Sequence, residues 1–269
     1  MGRFWSLLFL SVPIVGVLVF VWAMAGWWPM QNHWLPANIG GNEAIWIDRL
    51  FLFILGLTGV IFIATGLVFF WFLWKYDAAV TTEPVKYFHG SHTLEVVWSI
   101  IPAATLLFIA IFQMKVWANA KLERPQVDGV PKAPIAEITG RQFEWRIRYA
   151  GKDGVIGTTD DVFKVNDLHL PIHEDVVLLI KSQDVLHSFF LPHVRVKQDV
   201  VPGMQQFVWF KANRTGTYDI VCAELCGWGH YKMRGRMVLQ NRAEFDKWLQ
   251  QAWQDQEVTS FAPAAGENE

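Results

Sequence analysis

Three long apolar runs without charge occupy the first part of the chain, and alternating apolar and polar positions dominate the rest. The first run, Phe4 to Trp28, follows Arg3; the second extends from Phe51 to Trp74; the third, Val96 to Met114, is closed by Lys115. At about 1.5 Å of rise per residue, the second run exceeds the ~30 Å hydrocarbon thickness of a bilayer. Trp71, Trp74, Trp98 and Trp117 sit near the ends of the second and third runs, where amphipathic rings favour the membrane interface. Residues 47–118 are therefore predicted to form a transmembrane helical hairpin. The first run has a charged residue before it and an A-x-A-like site at Ala23 and Ala25, as a signal peptide would. Its apolar stretch is long for such a segment, so residues 1–30 are read as an extra N-terminal span.

The connector from Gln31 to Asp48 holds Pro36 and Gly40-Gly41 and is predicted to be a loop. Arg3, Lys75 and Lys86 place the N-terminus and the second connector on one face by the positive-inside rule, with everything after Trp117 on the other. Lys115, Lys121 and Arg124 oppose that assignment.

From Ala133 the period changes. Ile135, Ile138, Phe143, Trp145, Ile147 and Tyr149 lie in a β-rich run, and 175–181 and 206–211 continue in the same style. Gly151-Lys-Asp-Gly154, Pro202-Gly203 and Asn213-Arg-Thr-Gly216 supply turns. Residues 122–242 are thus predicted to be an all-β sandwich or barrel. Phe245, Trp248, Leu249 and Trp253 share one face of a short helix over 243–258, and residues 259–269 are read as a disordered tail.

Composition agrees with this division. The chain is 52% hydrophobic with 15 Trp and 20 Phe, which points to a lipid bilayer, and a net charge of -2 offers no basis for binding nucleic acid. Only 6 of the 23 basic and 5 of the 25 acidic residues precede Leu122, so the charge belongs to the β-rich part.

The candidate chemistry lies in Cys222-Ala-Glu-Leu-Cys-Gly-Trp-Gly-His-Tyr-Lys-Met233, which contains the only two cysteines of the chain. Two thiols, an imidazole and a thioether suit copper. Zinc and a disulfide are the competing readings, although structural zinc sites rarely use Met. His187, at the end of a strand-like run, is the best further ligand. His193 is expected on a surface loop, and His169 and His173 are expected to face solvent.

His187 with Cys222-Ala-Glu-Leu-Cys226, His230 and Met233 resembles subunit II of the haem–copper cytochrome c oxidases, and the hairpin before a β domain extends the likeness to residues 47–240. The resemblance implies a membrane helical hairpin followed by an all-β, cupredoxin-like Greek-key domain that carries a binuclear copper (CuA) centre. It implies that Cys222 and Cys226 bridge two coppers, that His187 and His230 each cap one, and that Met233 and the Glu224 carbonyl are weak axial ligands. The Glu224 side chain would face a magnesium shared with subunit I, which carries the haem. Glu95, at the start of the last span, matches the family's acid at the mouth of a proton path; an acid in the first turn of a helix also suits its dipole. The expected setting is a bacterial inner membrane with the β domain on the periplasmic face.

One departure stands out. In Gly140-Arg-Gln-Phe-Glu-Trp145, Phe143 occupies the place where the family usually has the Trp that receives the electron, and Trp145 follows two positions on. Arg146, Arg148 and Lys152 lie where an acidic surface would attract a basic cytochrome c. These residues predict a donor c-type cytochrome that is tethered, or part of an attached electron-transfer complex. The leading function is the electron-input subunit of a terminal oxidase, assembled with subunit I and other oxidase subunits. The alternatives are a CuA subunit of a nitric oxide reductase type of enzyme and a non-catalytic copper-binding assembly protein. A quinol-oxidase subunit would lack these ligands.

Overall fold

The computed structural model describes residues 2–27, 35–77, 79, 81–84 and 87–261. Trp28, the start of the first connector at Gln31, Lys86 and residues 262–269 of the expected tail lie outside the described residues.

Among the described residues, three helices are long and apolar enough to cross a membrane: α1 (Gly2–Met24), α2 (Asn42–Lys75) and α3 (His92–Lys121). Side chains along them stay exposed, as expected where lipid replaces a protein core. α1 lies against α2. A Cβ added to Gly66 would meet the Pro13 ring at 3.1 Å, Phe9 and Phe69 meet edge-on at 5.1 Å, and the Arg3 guanidinium lies 4.8 Å from the Trp74 ring. Arg3 and the end of α2 are therefore neighbours, the pairing that charge placement predicts. α2 and α3 run past their apolar stretches at both ends, because polar residues such as Asn42, Glu43 and Lys121 continue a helix without needing lipid. Ser91 caps α3 through a bond from the Leu94 N–H.

Among the described residues, the β unit comprises residues 38–47 and 116–261. Part of the expected loop thus belongs to it. Gly40 bridges Ala212, the Gly41 N–H donates to Lys211, and Ile39 is buried in the core. Strands β1 (Gln126–Val127) and β2 (Val130–Pro131) form a small hairpin. The others are β3 (Ala136–Arg141), β4 (Glu144–Tyr149), β5 (Val162–Val165), β6 (Asp167–Pro171), β7 (Asp175–Ser182), β8 (His187–Leu191), β9 (Val196–Val200), β10 (Gln205–Lys211), β11 (Gly216–Cys222) and β12 (Arg234–Gln240). They form two five-stranded sheets, in the orders β10-β7-β3-β4-β5 and β6-β12-β11-β8-β9. Most pairings are antiparallel; β3 with β7 and β12 with β6 are parallel. Strict alternation along β4 sends Trp145, Ile147 and Tyr149 into the shared core, where they meet Leu168, Leu178, Phe189, Ile220 and Met237.

α4 (Arg242–Phe261) closes the core with Phe245, Trp248, Leu249, Ala252 and Trp253, and the Glu244 carboxylate accepts from the Asn241 N–H at its start. The helix runs to Phe261, beyond the predicted end at 258, so residues 259–261 are helical rather than tail. Its Trp248 stacks on His169 at 3.9 Å with the rings 4° from parallel, and His169 is buried, against the expectation that it faces solvent. The flat face of an imidazole accepts an aromatic neighbour while its Nδ1 bonds Gln240 at 3.0 Å. His173 is exposed, and His193 is half-buried with its ring 4.9 Å from that of Tyr218.

Candidate metal centre

Strand register brings the distant ligand candidates together. β8 and β11 are neighbours, with Phe189 opposite Cys222, so His187 at the start of β8 lies beside the end of β11. β11 ends at Cys222 and β12 starts at Arg234. The loop between them is closed by the Cys222 N–H donating to the Met233 carbonyl at 3.2 Å, and the Ala223 N–H donates to Ser188 at 3.0 Å. A short turn over His230–Lys232 then aims the His230 ring back into the loop.

Six donor atoms converge. The two sulfurs lie 3.9 Å apart; Cys222 Sγ is 4.0 Å from His187 Nδ1, and Cys226 Sγ is 3.6 Å from His230 Nδ1. Met233 Sδ lies 3.8 Å from Cys226 Sγ, and the Glu224 carbonyl oxygen 3.3 Å from Cys222 Sγ. His187, both cysteines and Met233 are buried.

This geometry separates the three sequence readings. A disulfide needs sulfurs about 2.05 Å apart, and the cysteines are free. A tetrahedral zinc site has no use for a thioether and a carbonyl beyond two thiols and two imidazoles. Two thiols flanked by imidazole nitrogens, with one weak donor toward each side, fit copper.

Electrostatics divides the thiols. Burial raises Cys222, but the His187 imidazole and neighbouring backbone groups outweigh it and bring it down to about 6. Burial and the adjacent Cys222 push Cys226 up to about 12. Burial lowers His187, yet Cys222 and Asp184 outweigh it and hold the imidazole above its ordinary value. A thiol held this low beside an imidazole gives up its proton readily when a metal binds.

Two supporting residues escaped the sequence reading. Asp184 Oδ1 lies 2.8 Å from His187 Nε2, and its other oxygen accepts from the Gln142 N–H at 2.8 Å. The Gln142 side chain donates to the Cys226 carbonyl at 2.5 Å, tying the turn between β3 and β4 to the cysteine loop. An acid three residues before a histidine is too common a pattern to single out; the turn that folds it back supplies the meaning.

The other candidates are spread out. Phe143 is half-buried against the cysteine loop, and Trp145 is fully enclosed, 6.0 Å from the His187 ring and 5.2 Å from Phe189. Trp145 thus stands behind the surface. Glu95 lies exposed in the first turn of α3. The basic surface is partly compensated. Arg146 pairs with Glu144 at 2.7 Å, and Arg148 pairs with the buried Asp161.

Comparison with known proteins places the chain in a family. Residues 41–116 match the transmembrane domain of cytochrome c oxidase subunit II, and residues 157–240 match its periplasmic domain. The alternative cytochrome c oxidase subunit 2 of Bradyrhizobium diazoefficiens is 30% identical, over 98% of this chain and 95% of its own. Cytochrome c oxidase subunit 2 of Alkalihalophilus pseudofirmus is 30% identical over 93% of this chain and 68% of its own. The crystal structure of the periplasmic domain of subunit II from Bradyrhizobium japonicum is 25% identical, covers 52% of this chain and all of its own, and has a TM-score of 0.42. With relatives this similar along most of their length, the chain belongs to the cytochrome c oxidase subunit II family, whose members are membrane-bound subunits of haem–copper oxidases with a periplasmic domain.

Proposed function

We propose that this chain is the electron-input subunit of a haem–copper terminal oxidase in a bacterial inner membrane. It takes electrons from a c-type cytochrome and hands them to haem in subunit I, where oxygen reduction is coupled to proton translocation. The observation that carries this reading is the convergence of six donor atoms from two loops, with Cys222 Sγ and Cys226 Sγ 3.9 Å apart at its centre.

Cys222 and Cys226 would hold the copper as thiolates, His187 and His230 would bind it through Nδ1, and Met233 and the Glu224 carbonyl would be the weak donors. A copper pair held by two thiolates spreads one unpaired electron over both metals and so exchanges single electrons with little movement of its ligands. The chain's own contribution is rigidity. Buried thiols, the Asp184 bond and the Gln142 bond hold the His187 imidazole and the cysteine loop in place before any metal binds.

The Glu224 carboxylate would serve as a ligand to a magnesium shared with subunit I. Glu95 is assigned to the mouth of a proton path into that subunit, because an acid at a membrane boundary is a functional group by default. Phe143 and Trp145 lie on the electron-input side, with Trp145 between the core and His187. The donor is a tethered or complex-bound cytochrome; reduction by a free, strongly basic cytochrome c that is fast and falls steeply with salt would contradict this.

The deciding experiment is an electron paramagnetic resonance spectrum of the copper-loaded full chain. A seven-line hyperfine pattern supports the shared pair. A four-line pattern, or no bound copper, refutes it.

A further inference from the structure

We propose that Trp228 is the surface residue through which a haem protein delivers electrons to this chain, in place of the turn position occupied by Phe143. The proposal rests on the copper reading above and names the outermost residue of its input side.

Trp228 stands in the middle of the cysteine loop and is 77% exposed. Its ring meets Phe143 edge-on, with centroids 5.2 Å apart. Phe143 lies under the loop. A Cβ on Gly229 would come within 2.5 Å of its ring, and one on Gly227, whose φ is +137°, within 3.1 Å. The glycines on either side of Trp228 therefore let the loop backbone rest on Phe143, which raises the indole above it. Of the aromatics named on this side, Trp145 is enclosed, Phe143 is a half-buried support, Tyr231 is exposed but is a phenol, and Trp228 offers an exposed indole to a partner.

The chain connectivity completes the argument. One glycine separates Trp228 from Cys226 and one separates it from His230, both assigned ligands. Electronic coupling through bonds falls off less steeply than through space, so an indole wired into the ligand loop on both sides is a short route inward. The Lys232 ammonium lies 5.3 Å from the Trp228 ring and 5.5 Å from that of Tyr231, where cation–π attraction holds the rings and puts a positive charge beside them. Leu225, 76% exposed, adds apolar surface in the same loop. An aromatic and apolar platform with one cation fits a donor whose exposed haem edge is rimmed by apolar residues and a carboxylate.

The step is a one-electron transfer. The donor's ferrous haem becomes ferric, the oxidised metal centre of this chain gains that electron, and no bond breaks and no proton moves. Trp228 is the contact across which the electron passes and has the same oxidation state before and after.

The test uses the copper-loaded full chain in lipid nanodiscs, mixed with a ferrous monohaem c-type cytochrome and, separately, with hexaammineruthenium(II), a small reductant that needs no docking surface. Trp228→Leu is expected to slow reduction by the cytochrome at least tenfold, a change of about 1.4 kcal/mol. It should leave the copper spectrum and the reduction by hexaammineruthenium(II) unchanged. Tyr231→Phe is expected to leave both rates within about twofold. A second readout needs no metal: in the metal-free chain, binding of the ferric cytochrome should quench a component of tryptophan emission that is lost in Trp228→Phe.

Unchanged cytochrome reduction in Trp228→Leu overturns the proposal, as does an equal loss in Tyr231→Phe. Normal reduction combined with failure to assemble with subunit I also overturns it, because Trp228 would then be a contact between subunits. Failure of the wild-type chain to bind copper refutes the underlying site, an outcome distinct from any of these.

Discussion

The carboxylate of Asp184 lies 2.8 Å from Nε2 of His187, and this single bond decides which nitrogen of the ring faces the sulfurs. With Nε2 engaged, Nδ1 is directed at Cys222. Asp184 is itself fixed by the Gln142 and Val185 N–H groups, so two chain segments agree on one ring orientation.

Asp184→Asn keeps the shape and removes the charge. Because partners of this kind orient a ligating imidazole and raise its basicity, copper affinity should fall about 10- to 100-fold. Competition against a chelator of known affinity measures it, and an unchanged affinity would remove Asp184 from the site.

Gly229→Ala places a methyl group 2.5 Å from the Phe143 ring, closer than carbon atoms approach. Either Phe143 or the loop must move, at a cost of about 1–3 kcal/mol. The expected signs are a lower denaturation midpoint and a disturbed copper spectrum. Gly229→Ala with Phe143→Ala should recover much of the loss.

Met233 is buried with its sulfur 3.8 Å from Cys226 Sγ, the position of a weak donor. Met233→Leu conserves volume and removes that donor, so the reduction potential should move while copper stoichiometry stays at the wild-type value. Cys222→Ser, by contrast, should abolish the shared pair. Spectroelectrochemical titration alongside metal analysis separates the two outcomes.

Trp145 fills the core beside His187, and Trp145→Ala should cost about 3–5 kcal/mol through the cavity it leaves. Denaturant unfolding of the metal-free chain, followed in the β unit, gives the figure; a cost under ~1 kcal/mol would show that the core collapses into the space.

Acid stability follows from Asp167. Burial raises its carboxyl, but Arg236, 2.7 Å away, and His169 outweigh that and hold it below its ordinary value. A depressed carboxylate stabilises the fold above its unfolded pKa of about 3.9, and that contribution is lost as pH falls through the folded value. Arg236→Ala should therefore lower the urea midpoint at neutral pH and lose most of its effect near pH 2.

The resemblance to subunit II was legible from one short loop and one distant histidine, because thiols, imidazole and thioether at that spacing have few other uses. The helices were legible for a similar reason: lipid demands long uncharged runs whatever the neighbours do. The face of α4 also followed from spacing alone, since Phe245, Trp248, Leu249 and Trp253 recur with the helical period. The burial of His169 did not, because a ring that stacks on Trp248 carries no mark in the sequence that separates it from a surface histidine.

What the sequence by itself determined was the candidate donor set, Cys222, Cys226, His230 and Met233 within one loop, with His187 as its proposed partner. Only the tertiary structure decided how these atoms meet, because the pairing of β8 with β11 spans residues far apart in the chain and depends on the register of strands. The same holds for the support. Asp184 and Gln142 reach the site from two further turns, and Phe143 underlies Trp228 because two glycines let the loop settle onto its ring. Ligand identity is a property of side-chain chemistry, which is written residue by residue. The orientation of those ligands, and the ring that reaches the surface, are properties of packing between segments, which exist only once the sheets have closed.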